Sequence, residues 1–461
     1  SPIEGVYMFK RLIGRLLVFL IVWGFSCQLV VEAHEENESH EHAVDPVDVA
    51  DMYRPTAMPD RIVLTWSDDP KTTQSVTWRT SPAVNVAYAE VAVAEAGPTF
   101  PEKSMRHRAQ TESLKTDLNE AHFHSVTFES LTPGTRYAYR VGDGTNWSEW
   151  FQFSTATATP MPFSFVYFGD AQNNLRSLWS RVIREAYRDA PKAAFLLHAG
   201  DLVNRAESDA EWGEWFGAGA WLNAMMPSLA VPGNHEQARD KNKNSRLSHH
   251  WRPSFTFPEN GPSGLEETCY SLTYQNLRII ALNSNSQLET QAAWLDDVLQ
   301  KNTSAWTVVT FHHPVFSTGK NRDNPELRRL WKPVFDKYSV DLVLQGHDHT
   351  YGRTGLNVPD EVNVKNVPTG VQAVDQQRGT VYVVSVSGPK MYVNSRPPFM
   401  KRLAEDTQLY QVISIDGDQL RFEARTAVGQ LYDAFELHKK TGQINTLVEI
   451  EPTVKQRLRT R

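Results

Sequence analysis

Between residues 61 and 155 the chain alternates apolar and polar positions in short runs, at 61–66, 75–80, 86–95, 124–131, 136–141 and 150–155. Successive strand side chains point to opposite faces, so each run presents one apolar face for burial. Turn residues such as Pro133-Gly134 and Asp143-Gly144 separate the runs, and the pattern predicts a small antiparallel β-sandwich over residues 57–157, with Trp66 and Trp78 in its core. Beyond Pro160 the period changes. Leu178, Trp179, Val182, Ile183, Ala186 and Tyr187 recur at helical spacing, as do Trp294, Leu295, Val298 and Leu299. Asn324-Pro325 opens a third amphipathic helix that carries Leu327, Leu330, Trp331, Val334 and Phe335. Apolar runs lie between these helices, so residues 160–440 are expected to form an α/β domain.

A chain of 461 residues is too long for one ordinary core and suits two domains plus tails. Lys10, Arg11 and Arg15 precede an apolar run from Leu16 to Val31, and Val31-Glu32-Ala33 offers a small residue for cleavage. Residues 8–33 therefore read as an export signal, which predicts a secreted, periplasmic or extracellular protein with no stable membrane insertion after cleavage. Residues 34–56 form an acidic leader containing His34, His40 and His42, and residues 441–461 a C-terminal tail. The formal net charge of -7 argues against a nucleic-acid partner, because phosphate backbones are held by excess Lys and Arg. With Cys27 and Cys269 the only cysteines, neither a disulfide framework nor a thiolate zinc site is available.

Candidate chemistry lies at the ends of the apolar runs in the second domain. The run from Phe163 leads into Gly169-Asp170, that from Ala193 into Gly200-Asp201, and that from Leu229 into Gly233-Asn234-His235-Glu236. The run from Trp306 leads into His312-His313, and that from Leu342 into Gly346-His347-Asp348-His349. Open α/β sheets place ligand sites outside the carboxyl ends of their strands, so one crevice should collect these groups. Carboxylate, carboxamide and imidazole together suit two divalent ions of manganese, iron or zinc, bridged by a shared carboxylate for which Asp201 is the choice. Such a pair activates a water as hydroxide for attack on phosphorus, and His235 is placed to protonate the departing oxygen or hold a phosphoryl oxygen.

At these residues the chain resembles the calcineurin-like metallophosphoesterases, and among them the purple acid phosphatases with a fibronectin type III-like amino-terminal domain. The segment from Leu131 to Tyr139 resembles the tyrosine-bearing corner of fibronectin type III modules. The resemblance implies a four-layer α/β/β/α catalytic domain with a mostly parallel-stranded double sheet. It implies that Asp170, Asp201 and His349 hold one metal, while Asp201, Asn234, His312 and His347 hold the other. It also selects His312 over His313, as the histidine two positions before Pro314. Two positions depart from the family. Where purple acid phosphatases carry the tyrosine whose phenolate gives the colour, this chain has Asn204, and the first block reads Asp170-Ala171-Gln172. A non-purple centre with two divalent ions is therefore expected, in which Gln172 or Asn204 contributes an amide oxygen or holds a bound water.

The expected activity is hydrolysis of small phosphate monoesters. The alternatives are a phosphodiesterase or nucleotide pyrophosphohydrolase with the same centre, and an inactive extracellular binding protein. His250, His313 and Arg353 are the candidate substrate contacts, with Lys320, Arg322 and Lys390 also able to meet a phosphate oxygen and Tyr351 expected to support the ligands. The polar insertion at 244–264 is a candidate cover for the metals, and His198 is expected to be structural.

Overall fold

In the computed structural model the described residues are 46–242, 244–356, 379–440 and 443–460. The expected export signal and most of the leader lie outside them. No helix among the described residues is long and apolar enough to cross a membrane.

Residues 60–154 fold into two four-stranded antiparallel sheets. One runs Asp60–Thr65, Gln74–Thr80, Glu120–Phe128, Gln110–Lys115; the other runs Met105–Arg108, Tyr88–Val93, Arg136–Gly142, Phe151–Ser154. Leu64, Val76, Trp78, Phe128, Tyr139 and Phe153 fill the space between them. The Thr132 amide donates to the Tyr137 hydroxyl at 2.8 Å, pinning the corner before the fifth expected strand. Met105–Arg108 and Gln110–Lys115 were not foreseen. They are solvent-facing edge strands without an apolar alternation, and backbone pairing alone places them.

Two seven-stranded sheets build the second domain. The first runs Ser228–Ala230, Leu196–His198, Phe163–Phe168, Leu409–Asp416, Gln419–Thr426, Leu431–His438, Thr446–Ile450. The second runs Tyr270–Tyr274, Leu277–Ala281, Trp306–Thr310, Leu342–Gln345, Val381–Val384, Tyr351–Thr354, Met400–Ala404. Both are mixed, which corrects the expectation of a mostly parallel double sheet. The first ends in an antiparallel meander whose short turns, such as Gly417 between two strands, allow no crossover helix. Its outer strand, Thr446–Ile450, lies in the segment expected to be tail.

Alternation along the central strands explains their continuous apolar character. Val308, Leu342 and Leu344 join the core shared with Phe165, Leu197 and Ile413 of the first sheet. Val309 and Val343 point the other way, onto Leu295 and Leu299 of helix Leu288–Gln300 and Leu327, Trp331 and Phe335 of helix Pro325–Lys337. Helix Ser180–Asp189 closes the other side with Val182, Ile183 and Ala186. Helix Asp209–Gly219, which the sequence did not reveal, locks the two domains together. Its buried Asp209 accepts from Arg61 at 2.7 Å and from Arg79 at 3.4 Å, both on sandwich strands. His198 is structural, as expected. It is stacked on Phe168 beside Trp179 and Trp215, and burial pushes it down to about 3.

Arg353 is not a substrate contact. Its guanidinium is 2% exposed and binds Asp433 through Nε and Nη2 at 2.8 Å each, with Glu449 at 2.9 and 2.8 Å. Tyr351 donates to the same Asp433 at 2.7 Å. These bonds tie the segment after His349 to the first sheet. Removing one partner of a buried pair leaves a charge without compensation, so Asp433→Ala should cost on the order of 3 kcal/mol in denaturant unfolding. A cost below about 1 kcal/mol, the level of an exposed pair, would show the network to be dispensable.

Candidate metal centre

Each candidate ligand follows a buried strand. Phe163–Phe168 leads to Asp170, Leu196–His198 to Asp201, Ser228–Ala230 to Asn234, Trp306–Thr310 to His312, and Leu342–Gln345 to His347 and His349. The first three are parallel neighbours in one sheet and the last two in the other, and the carboxyl ends of both sets come together at the site.

The side chains meet there in two groups. Asp170, Asp201 and His349 each present a ligand atom within 4.8 Å of the others. In the second group Asn234 Oδ1 lies 3.1 Å from His312 Nε2 and 2.9 Å from His347 Nδ1, and the two ring nitrogens are 3.1 Å apart. Asp201 Oδ2 is 3.2 Å from His312 Nε2, so this carboxylate touches both groups. His313 also belongs to the second group by distance. Its ring lies 4.3 Å from that of His347, while its Nδ1 pairs with the Ser284 hydroxyl at 2.8 Å.

The backbone is shaped to make this approach. Asp201, His347 and His349 have φ of +52°, +76° and +50°, a left-handed conformation that costs non-glycine residues energy and persists only when surrounding contacts enforce it. A Cβ on Gly233 would sit 2.1 Å from Asp201 Oδ1, and one on Gly200 2.6 Å from the Gly233 amide. Two buried carboxylates supply the enforcing contacts. Glu236 accepts from the amides of Asp201, Val203 and Gly233 at 2.8, 3.1 and 2.7 Å, clamping two ligand loops together. Asp348 accepts from Ser317 Oγ and the Thr318 and Gly319 amides at 2.7, 2.7 and 2.9 Å, fastening a neighbouring loop to the His347–His349 turn. Both residues sit inside motifs as letters with no assigned role, and neither task is readable from residue type.

Charge and proton placement fit bound cations. His312 Nδ1 faces the Ala199 carbonyl at 2.9 Å and His349 Nδ1 faces the Lys390 carbonyl at 2.9 Å. A carbonyl only accepts, so each Nδ1 carries the proton and Nε2 turns a lone pair inward. Burial lowers His349 to about 3 and, aided by His312 and His313, drives His347 lower still, keeping both neutral. Burial raises Asp170 well above its ordinary range, with His312 opposing and Asp201 adding. For Asp201 burial also works upward, but His312 and His235 outweigh it and hold the carboxyl well below its ordinary range. Burial works to lower His312, yet Asp201 prevails and lifts it to about 9. Carboxylates that hold a proton on His312 would hold a divalent cation in its place. Asp170 Oδ1 is buried without a hydrogen-bond partner, as a ligand atom would be.

Gln172 joins the first group. It is fully buried, its Nε2 lies 2.8 Å from Asp201 Oδ2 and 2.9 Å from His349 Nε2, and its Oε1 has no partner. The amide can turn either end toward a cation. At Asn204 the backbone is what matters, since its carbonyl accepts from His235 Nδ1 at 2.6 Å. His250 is not a substrate contact. It is buried, stacked on Trp212 and 3.9 Å from Asp209, and the insertion around it sends Trp251, Phe255 and Phe257 into the core.

The family profile described as the purple acid phosphatase N-terminal domain matches residues 59–155, and that of the calcineurin-like phosphoesterases matches residues 163–351. The chain belongs to the purple acid phosphatase-like metallophosphoesterases. An uncharacterized Mycobacterium tuberculosis protein is 29% identical over 327 residues, covering 61% of this chain and 60% of the relative. The chain thus spans about 60% of the length of that relative. Acid phosphatase type 7 of Mus musculus is 25% identical, covering 73% of this chain and 77% of the relative. The structure of a purple acid phosphatase from yellow lupin seeds superposes with a TM-score of 0.67 at 17% identity, covering 82% of this chain and 74% of that one, and so shares the fold.

With Asn204 in place of the family tyrosine, the metal-loaded and oxidised protein should show no charge-transfer band in its visible spectrum. A purple band would mean a phenolate ligand, and would point to Tyr392, whose ring packs 4.6 Å from that of His349.

Proposed function

We propose that this metallophosphoesterase hydrolyses small phosphate monoesters outside the cytoplasm. The observation that carries the reading is the meeting of Asp170, Asp201, Gln172, Asn234, His312, His347 and His349 beyond the carboxyl ends of strands from both sheets, with inward lone pairs and a carboxylate in contact with both groups. Two divalent ions of iron, zinc or manganese held there would supply Lewis acidity to a water nucleophile and offset charge on the phosphoryl oxygens. Asp170, Asp201 and His349, joined by Gln172, would hold one ion; Asp201, Asn234, His312 and His347 would hold the other. The export signal read at residues 8–33 supports the location.

His235 has a separate task. Its Nδ1 proton is committed to the Asn204 carbonyl, so Nε2 is the atom that exchanges a proton with the ester oxygen. Its amide donates to Asp201 Oδ1 at 2.9 Å, which fixes the imidazole relative to the bridging carboxylate.

Turnover of 4-nitrophenyl phosphate and of bis(4-nitrophenyl) phosphate, compared across divalent metals and pH, tests the reading. The monoester should be the better substrate, and His235→Ala should lose about 10²–10⁴ in kcat while keeping its metal. Preference for the diester would make the chain a phosphodiesterase. Turnover of neither would favour a binding protein, and loss of metal from His235→Ala would make His235 a ligand.

A further inference from the structure

The loop that follows Asp201 is held by two carboxylates from different segments. Glu236 takes the amides of Asp201 and Val203. Glu211, in the first turn of helix Asp209–Gly219, takes the next two: its Oε2 accepts from the Asn204 amide at 2.8 Å and from the Arg205 amide at 2.7 Å. The peptide between Asn204 and Arg205 is thereby fixed by its N–H. The carbonyl of that same peptide accepts from His235 Nδ1 at 2.6 Å. One amide group thus stands between an imidazole and a carboxylate.

A peptide is planar, so holding its N–H sets the direction of its C=O. The carbonyl in turn sets where Nδ1–H of His235 points, and with it the direction of Nε2 on the far side of the ring. Hydrogen bonds in series through one amide also polarise and strengthen each other. The helix that carries Glu211 has its own anchors on the sandwich, since the Asp209 amide donates to Asp117 Oδ1 at 2.8 Å and the Asp209 carboxylate accepts from Arg61 and Arg79. Glu211 is therefore not what places the helix. Its remaining contact, Oε1 accepting from Arg205 Nε at 2.7 Å, is to an arginine whose side chain is 70% exposed, a kind of pair that contributes little.

We propose that Glu211 is a positioning residue for His235, which through the Asn204–Arg205 peptide aims Nε2 at the departing ester oxygen. This rests on the phosphatase reading, in which His235 delivers the proton. As the water oxygen bonds to phosphorus, the bond from phosphorus to the ester oxygen breaks. That oxygen takes the proton of His235 Nε2, which regains one from solvent, and the water releases its proton to solvent. Nδ1 keeps its proton on the Asn204 carbonyl throughout, and Glu211 neither gains nor loses one.

Zinc-loaded wild type, Glu211→Ala, Glu211→Gln, His235→Ala and the double variant test this, with metal content checked in each. A weakly basic leaving oxygen departs without a proton, so a misaimed acid is felt by esters with basic leaving groups. The ratio of kcat for phenyl phosphate to that for 2,4-dinitrophenyl phosphate should fall about tenfold in Glu211→Ala, less than the full range for loss of a general acid. It should recover in Glu211→Gln, whose amide oxygen still accepts from both N–H groups while the pairing with Arg205 is lost. In the double variant it should equal the ratio of His235→Ala, because the two residues act as one unit. An unchanged ratio in Glu211→Ala, or a further fall in the double variant, would overturn the proposal. Proton NMR of the same samples gives a readout without turnover. The His235 imidazole N–H resonance, identified by its loss in His235→Ala, should be sharp in wild type and Glu211→Gln and broadened by solvent exchange in Glu211→Ala. A resonance that is equally sharp in Glu211→Ala, or missing from wild type, would overturn the proposal. Turnover of neither ester by wild type would count against the phosphatase reading alone, and the resonance would then decide.

Discussion

The structure is organised by the cost of burying negative charge and lone pairs at one point. Asp170, Asp201, His312, Gln172 and His349 are all nearly or fully inaccessible, and several turn acceptor atoms toward each other. An isolated carboxylate out of water is expensive, and an imidazole lone pair aimed at a carboxylate gains nothing unless a positive charge stands between them. The surrounding features hold those groups in place against their mutual repulsion: parallel strands of two sheets that end beside one another, glycines that let loops touch, and left-handed backbone at three ligand positions.

Glu236 and Asp348 show how that restraint is distributed. Each is a buried carboxylate that accepts from backbone amides, Asp348 also from the Ser317 hydroxyl and the Arg322 guanidinium, so the loops it joins cannot separate without stranding a charge. The Arg353–Asp433–Glu449 network does the same further out, fixing the strand after His349 to the opposite sheet. The sandwich is joined as firmly, through Asp209 to Arg61 and Arg79 and through the Tyr139 hydroxyl to the Ala224 carbonyl at 2.6 Å.

Much of this was legible from residue order because the active edge is written as punctuation: an apolar run, a glycine, then a ligand-type side chain. The glycines mark places where a Cβ would collide with another ligand loop, and the apolar runs are strands buried on both faces. What was not legible has a different physical origin. The edge strands at 105–115 carry no apolar alternation, and the antiparallel meander after residue 409 depends on pairing between distant segments. Arg353 follows a ligand histidine closely enough to suggest the pocket, but strand alternation turns it toward Asp433. His349, which Tyr392 and Lys390 both meet, lies more than forty residues away in the chain, with no spacing to betray the contact.

The central claim is that these groups surround two cations bridged by Asp201. Anomalous X-ray scattering from crystals of the metal-replete protein addresses it directly. Two peaks about 3.5–4 Å apart, on either side of the Asp201 carboxylate, are the expected result. A lone peak, peaks elsewhere on the molecule, or none after incubation with iron, zinc and manganese would contradict the account.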